Sequence, residues 1–138
     1  MSGNGENPLR WNCEKDGCFN LKKRPKIEIF AKCLPRMIAF SDIDGIVELG
    51  GNFLILEWKA YVGVIPLGQD IMFKRMANTG CFSIFVICGD AETMIVSAIK
   101  VYHGQQIRNW EKIDLQGLME KIKRWGAWAE KQKAHRAA

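Results

Sequence analysis

The apolar positions in the first half of the chain predict a short helix followed by a β-hairpin. Residues 25–34 begin with Pro25 and place apolar side chains at helical spacing, which predicts a short helix. Residues 37–49 and 53–59 are extended apolar runs on either side of the turn sequence Leu49-Gly50-Gly51-Asn52. Gly-Gly between two such runs is a hairpin signal, so we expect two antiparallel strands here.

The second half predicts a helix, two strands and a last helix. Residues 67–78 have a helical pattern, and 81–88 and 93–102 are apolar strands, the first nearly continuous as in a strand buried on both faces. Residues 114–133 form an amphipathic stripe. The order helix, hairpin, helix, strand, strand, helix predicts an α/β fold with a central mixed sheet and an additional C-terminal amphipathic helix.

Length and composition limit the class of protein. A chain of 138 residues can bury one hydrophobic core, and it has no internal repeat. The apolar runs are too short to cross a bilayer, and five cysteines, an odd number, suit a reducing compartment better than a disulfide framework. We therefore expect a cytoplasmic protein without a membrane partner.

The net charge of +5 is unevenly distributed. Residues 121–138 contain six Lys or Arg and one acid, and a second basic run lies at 22–26. Such patches attract a phosphate backbone, although a solvated basic tail would look the same. The candidate nucleic-acid-binding residues are Lys22, Lys23, Arg24, Lys26, Lys121, Lys123 and Arg124.

A cluster of charges interrupts the apolar hairpin. Glu57 and Lys59 are two positions apart on one strand, so they share a face. A two-residue turn at Gly50-Gly51 sets Asp44 opposite Glu57, and a turn one residue later sets it opposite Lys59. Both registers bring the three charges to one face, whereas a three-residue turn without a bulge would separate them.

Two facing carboxylates repel each other unless a cation lies between them. Mg²⁺ binds to one or two carboxylates together with substrate phosphates, and it can activate water for attack on a phosphodiester. Lys59 could orient that water or stabilise charge on the phosphate. The alternative is a structural ion network of Asp44, Lys59 and Glu57 with no catalytic role.

These residues resemble the PD-(D/E)XK nuclease superfamily. Asp44, followed thirteen positions later by Glu57-Trp58-Lys59, is similar to that superfamily's aspartate and E-x-K on a hairpin. Gln69 resembles the glutamine that follows the E-x-K in the VRR-NUC branch, which is related to Holliday-junction resolvases. Glu28 matches the acid that many members carry on the preceding helix. Ile43 departs from the family pattern, which often has Pro at this position.

The resemblance implies a restriction-endonuclease-like core that cleaves duplex or branched DNA with Mg²⁺ or Mn²⁺, as a homodimer. It implies a metal held by Asp44, Glu57 and the Trp58 carbonyl, with Lys59, Gln69 and Glu28 completing the catalytic set. Stand-alone members of this size are often encoded by phages or mobile elements. The expected organisation is an N-terminal extension at 1–24, the nuclease core at 25–103 and a basic helical segment at 104–138.

Three alternatives are also compatible with the sequence. Cys13 and Cys18 could be half of a zinc site, but the chain has no second closely spaced ligand pair. The chain could be an inactive nuclease fold that binds nucleic acid or a protein partner. It could also be a basic protein-interaction domain that uses the C-terminal helix with Trp125 and Trp128.

Overall fold

The computed structural model describes residues 27–136, with side chains to residue 132, in two compact units that divide between Asp42 and Ile43. The described part of the first unit contains the 3₁₀ helices Ile27–Cys33 and Pro35–Met37. The short helix expected over 25–34 is thus present in the described residues, but as a 3₁₀ helix. None of its described residues in Ile27–Cys33 is buried, and α-helices in proteins depend mainly on packing of an apolar face.

The second unit is an α/β structure built on one open, mixed sheet, as expected. Its elements are β1 Gly45–Leu49, β2 Asn52–Lys59, α1 Leu67–Asn78, β3 Phe82–Asp90, β4 Ile95–His103, β5 Gln106–Ile107, β6 Glu111–Lys112 and α2 Leu115–Arg136. The sheet runs β1-β2-β3-β4-β5, and β6 also pairs with β4. β2 and β3 are parallel and are joined through α1, whereas the other pairs are antiparallel.

Most element boundaries agree with the apolar pattern. α1 has the predicted bounds, and β3, β4 and α2 differ from them by three residues or fewer at each end. The strand expected over 37–49 is wrong in its first part, since β1 begins only at Gly45. β5 and β6 have two residues each and were not expected, because so short a run has no measurable periodicity. No helix within residues 27–136 is long and apolar enough to span a membrane.

The two helices cover opposite faces of the sheet. On one face, Phe73 and Ala77 of α1 pack with β-strand residues such as Ile84 and Val86. On the other face, α2 packs a separate cluster against the alternate strand positions, which include Leu54, Phe85, Ile87 and Ile99. Because strand side chains alternate between the two faces, successive side chains of β2 and β3 point in turn toward α1 and toward α2. We call these sides the α1 face and the α2 face.

The hairpin closes through a two-residue turn. Leu49 pairs with Asn52, and the pairing continues without a shift to Gly45 and Leu56. Gly50 and Gly51 both have positive φ, 60° and 87°, as a type I′ turn requires. The turn at Gly50-Gly51 is thus the first of the two registers considered from the sequence.

This turn geometry predicts unequal effects of substitution at its two glycines. Gly51→Ala places a Cβ on left-handed backbone, and we expect the free energy of unfolding to fall by about 1–2 kcal/mol. Gly50→Asn should change it by less than about 0.5 kcal/mol, because Asn-Gly is a favoured type I′ pair. Urea denaturation of both variants measures this difference, and equal losses would show that the backbone is not left-handed at Gly51.

Candidate active site

The end of the hairpin brings together Asp44, Glu57 and Lys59. Asp44 immediately precedes β1, and its Oδ2 accepts a 2.6 Å hydrogen bond from the backbone N–H of Trp58. Lys59 Nζ lies 3.4 Å from Glu57 Oε2. Glu57 and Lys59 are in register with Val86 and Cys88 of the parallel strand, and Val86 packs on the α1 face. We call Asp44, Glu57 and Lys59 the carboxylate–lysine cluster.

The Asp44 side chain explains why β1 is short. In the hairpin register, the next residue pair beyond Gly45–Leu56 that would exchange backbone hydrogen bonds is Ile43 with Trp58. Asp44 Oδ2 takes the Trp58 N–H in place of the Ile43 carbonyl, so the ladder ends there. The Asp44 carboxylate thereby occupies the position beside Trp58 where β1 would otherwise continue.

Gln69 of α1 completes the surroundings of Glu57. Its Nε2 donates a 3.0 Å hydrogen bond to the same Glu57 Oε2 that faces Lys59. The Glu57 side chain is only 13% exposed, compared with 26% for Lys59. The crossover that joins the parallel strands β2 and β3 is what carries Gln69 over this part of β2. Glu57 is therefore held by an amide and a cation in a half-buried place.

Burial raises the pKa of Glu57 above its ordinary value of 4.5, and the negative charge of Asp44 raises it further. The Lys59 charge and the hydrogen bonds from Gln69 and Lys59 lower this pKa but do not cancel the increase. Ionised Glu57 is thus less stable in the folded protein than in water, even with a lysine beside it. Such a balance is typical of functional carboxylates, although structural networks also produce it.

The raised pKa predicts a pH dependence for the stability of a Glu57→Gln variant. Folded protein holds the Glu57 proton more tightly than unfolded protein does. The contribution of Glu57 to the free energy of unfolding is therefore greatest below pH 4.5, and it is lost as the pH rises through the raised pKa of the folded protein. Relative to wild type, Glu57→Gln should therefore be more stable near neutral pH than near pH 4. Thermal unfolding of both proteins at the two pH values measures this difference in stability. A Glu57→Gln variant that gains stability relative to wild type near pH 4 rather than near neutral pH would contradict a raised pKa of Glu57.

The donors in this cluster fit a hard divalent cation. Such ions prefer carboxylate and carbonyl oxygens, and Asp44 and Glu57 supply two charges that a cation would neutralise. Trp58 directs its N–H toward Asp44, and a strand residue directs its N–H and C=O to the same side, so its carbonyl faces this edge too. Residues 27–136 contain no group of three or more His, Cys, Asp or Glu that could hold a metal, so a cation here would rely on the carbonyl and on water or substrate.

A buried acceptor atom lies beside the cluster. Gln69 Oε1 is buried and has no hydrogen-bond partner among the described residues, while the other amide atom is engaged by Glu57. An unsatisfied buried acceptor is unfavourable by about 1–3 kcal/mol unless a water or another donor reaches it. This oxygen is suited to receive a hydrogen bond from a water held at the cluster.

The other predicted site residues of the N-terminal part precede the second unit in the chain. Glu28 lies in the 3₁₀ helix Ile27–Cys33 of the first unit, where it is exposed. The basic run 22–26 and the cysteines Cys13 and Cys18 lie outside the described residues, so the expectations about phosphate binding and zinc there stay predictions.

The C-terminal basic residues lie on the α2 face, opposite the cluster. Lys121 Nζ is 3.4 Å from Glu111 Oε1, and its side chain is largely covered. Lys123 is 70% exposed and pairs weakly with Glu120 at 3.9 Å. Arg124 lines a cavity with Lys121, whereas Lys123 does not. The three residues expected to bind nucleic acid therefore have different surroundings.

Other polar residues on the α1 face were not expected from the sequence. The buried Tyr102 hydroxyl donates to Asp70 Oδ1, and Lys74 Nζ lies 2.9 Å from Asp70 Oδ2. These two hydrogen bonds, with Lys74 contributing most, lower the pKa of Asp70. Glu57 of β2 pairs with Val86 of β3, and Val86 pairs with Lys100 of β4. The positive charge of Lys100 therefore lies two strands away from the carboxylate–lysine cluster. The position of Lys100 depends on the pairing of β3 with β4, and no local sequence motif predicts it.

Comparison with known proteins adds no relative. No protein-family model matches the chain, and neither the curated proteins nor the solved structures give a significant match. The geometry of the described residues is therefore the basis for a proposed function.

Proposed function

We propose that this protein is a metal-dependent nuclease of the PD-(D/E)XK type that hydrolyses DNA phosphodiester bonds. The observation that carries the proposal is that Asp44, Glu57 and Lys59 meet at the end of one hairpin, with the pKa of Glu57 raised by burial and by Asp44. The element order of a helical turn, hairpin, helix, strand and strand agrees with a restriction-endonuclease-like core. The resemblance described above supplies the reaction class.

Asp44, Glu57 and the Trp58 carbonyl would hold Mg²⁺ or Mn²⁺, which when bound would polarise the phosphodiester and lower the pKa of water. Asp44 is positioned by the Trp58 N–H, and Glu57 by Gln69. Lys59, half-buried and close to Glu57, would position the attacking water and stabilise charge that develops on phosphate. Gln69 Oε1 would accept a hydrogen bond from that water. Glu28 remains a proposed member of the set on the resemblance alone.

DNA is the proposed substrate because Lys59 and Lys100 lie on the α1 face with Glu57 and the chain as a whole is basic. Lys100 lies two strand spacings from Glu57, about 10 Å, which is within reach of a neighbouring phosphate group. Its Nζ donates to the Arg108 carbonyl at 3.2 Å and does not form a salt bridge among the described residues. Branched DNA and a homodimer complete the proposal, since two cuts across a junction need two sites.

The rival function is an inactive nuclease fold that only binds nucleic acid or a protein. The observation in its favour is that Glu57 already has a cation and an amide as partners, so the cluster could be a structural network. This rival predicts salt-sensitive DNA binding without turnover.

Incubation of purified full-length protein with supercoiled plasmid and with a four-way junction tests the proposal. We expect cleavage with Mg²⁺ or Mn²⁺, none with EDTA, and none by Glu57→Gln in either metal. A matched control is Glu92→Gln, which removes an exposed carboxylate from the β3–β4 turn and should cleave as wild type does. Cleavage that persists in EDTA, or DNA binding without cleavage in both metals, would refute the proposed function.

A further inference from the structure

A cavity of about 390 Å³ opens on the α2 face, opposite the carboxylate–lysine cluster. Its walls come from β3, β4, the segment after β4, and α2. The volume lies within the range of small-molecule sites in proteins, about 300–1,000 Å³. The predictions from sequence placed basic residues and tryptophans in α2, but not a cavity between this helix and the sheet.

Positive charge dominates the cavity wall. Arg108, Lys121 and Arg124 line it, and no Asp or Glu does. Glu111 offsets Lys121 from outside the wall, while neither arginine forms a salt bridge within residues 27–136. Guanidinium groups bind phosphate by paired hydrogen bonds, and Arg108 and Arg124, which have no carboxylate partner among the described side chains, are suited to do so. This wall is suited to an anion.

Aromatic rings form the other part of the wall, and hydrogen bonds to Ser83 and a ring contact hold them in place. Trp125 is 7% exposed, and its Nε1 donates a 3.2 Å hydrogen bond to Ser83 Oγ. Ser83 Oγ is also 2.8 Å from His103 Nδ1. The His103 ring meets Trp128 edge-on at 4.8 Å between centroids. The rings are thus fixed before a ligand arrives, which reduces the entropy lost on binding.

We infer that this cavity binds an aromatic base that carries a phosphate, with Arg108 and Arg124 on the phosphate and Trp128 against the base. A cavity that held only an anion would not need two tryptophans and a histidine in its wall, and one that held only an apolar ligand would not gather three cations. Base stacking on an aromatic side chain contributes about 1–3 kcal/mol per base. The same chemistry is offered by a free nucleotide and by an unpaired nucleotide of a strand.

This inference is independent of the proposed nuclease activity. Glu57 is aligned with Val86 on the α1 face, whereas Phe85 and His103 line the cavity on the α2 face. All binding measurements can therefore be made in EDTA, where cleavage is not expected. Loss of cleavage and loss of cavity binding are then separate results.

Titration of full-length protein with the mononucleotide dAMP in EDTA, followed by tryptophan fluorescence and calorimetry, tests the inference. We expect saturable binding of dAMP, and binding at least about tenfold weaker for deoxyadenosine and for inorganic phosphate, since each lacks one half of the interaction. A short single-stranded oligonucleotide distinguishes the two sources. If the oligonucleotide binds more tightly than dAMP, the ligand is a strand, and if it binds more weakly, the ligand is a free nucleotide.

Two neighbouring residues of α2 provide a matched pair of variants. Arg124→Gln and Lys123→Gln each remove one positive charge, but only Arg124 lines the cavity. We expect Arg124→Gln to weaken binding of the mononucleotide dAMP about tenfold or more, and Lys123→Gln, which lies outside the cavity wall, to change it less than about twofold. Trp128→Leu should also weaken it about tenfold, with circular dichroism as a check on folding. Equal effects of the two charge variants, or no saturable binding of either dAMP or the oligonucleotide by wild type, would overturn the inference.

Discussion

Replacing Lys59 with Met should lower the rate of Mg²⁺-dependent DNA cleavage about 10²- to 10³-fold, the usual effect of removing one electrostatic group from an active site. Met keeps most of the aliphatic stem and removes the charge that lies 3.4 Å from Glu57. The folded structure should persist, because Lys59 lies at the end of β2 and is not a core residue. Single-turnover cleavage of plasmid under saturating protein measures the effect.

Two controls separate the role of Lys59 from its influence on Glu57. Because the Lys59 charge lowers the pKa of Glu57, Lys59→Met raises that pKa and could act by leaving Glu57 protonated. Measurement from neutral to alkaline pH resolves this, since a defect that persists at alkaline pH belongs to Lys59 itself. The control variant Lys74→Met removes an exposed lysine of α1 that pairs with Asp70. It should retain a cleavage rate within about threefold of wild type. A full rate for Lys59→Met would exclude the proposed role of Lys59.

Replacing Phe73 with Ala should lower the free energy of unfolding by about 3–5 kcal/mol, a large part of the total stability of a domain this size. Phe73 is 2% exposed, and its ring lies edge-on to the buried Tyr102 at 5.3 Å between centroids. Its removal leaves a cavity between α1 and the sheet. Urea denaturation followed by tryptophan fluorescence measures the loss.

The matched control is Leu67→Ala on the same helix. Leu67 is the first residue of α1 and is 74% exposed, so its truncation should change stability by less than about 0.5 kcal/mol. If Phe73→Ala does not fold, Phe73→Leu gives a smaller loss of about 1–2 kcal/mol that can still be measured. A loss for Phe73→Leu no greater than that of Leu67→Ala would contradict the packing of α1.

The apolar pattern predicted most of the second unit because its period follows directly from burial. The alternation in β2 and the register of a two-residue turn were sufficient to place Asp44 near Glu57. The pattern failed where side chains compete with backbone hydrogen bonds. Asp44 ends β1 by capturing the Trp58 N–H, a tertiary event that no periodicity records. In α1, whose bounds the helical pattern predicted, the first apolar residue Leu67 is exposed, and the packing of the helix buries Phe73 and Ala77 instead.

The features that sequence reasoning missed are those assembled from distant parts of the chain. His103 ends β4 and contacts Ser83 and Trp128, which no local pattern around His103 predicts. The cavity on the α2 face joins Phe85 to Arg124, residues that belong to different elements and whose proximity depends on how α2 packs on the sheet. Trp125, in contrast, belongs to the amphipathic stripe predicted at 114–133, and it is buried.

Calorimetric titration of Mn²⁺ into wild type and Asp44→Asn tests most directly the proposal that Asp44 and Glu57 share a divalent cation. We predict one saturable site per chain in wild type, weakened at least about tenfold by Asp44→Asn and unchanged by the exposed control Glu92→Gln. Equal Mn²⁺ affinity for wild type and Asp44→Asn would contradict this proposal.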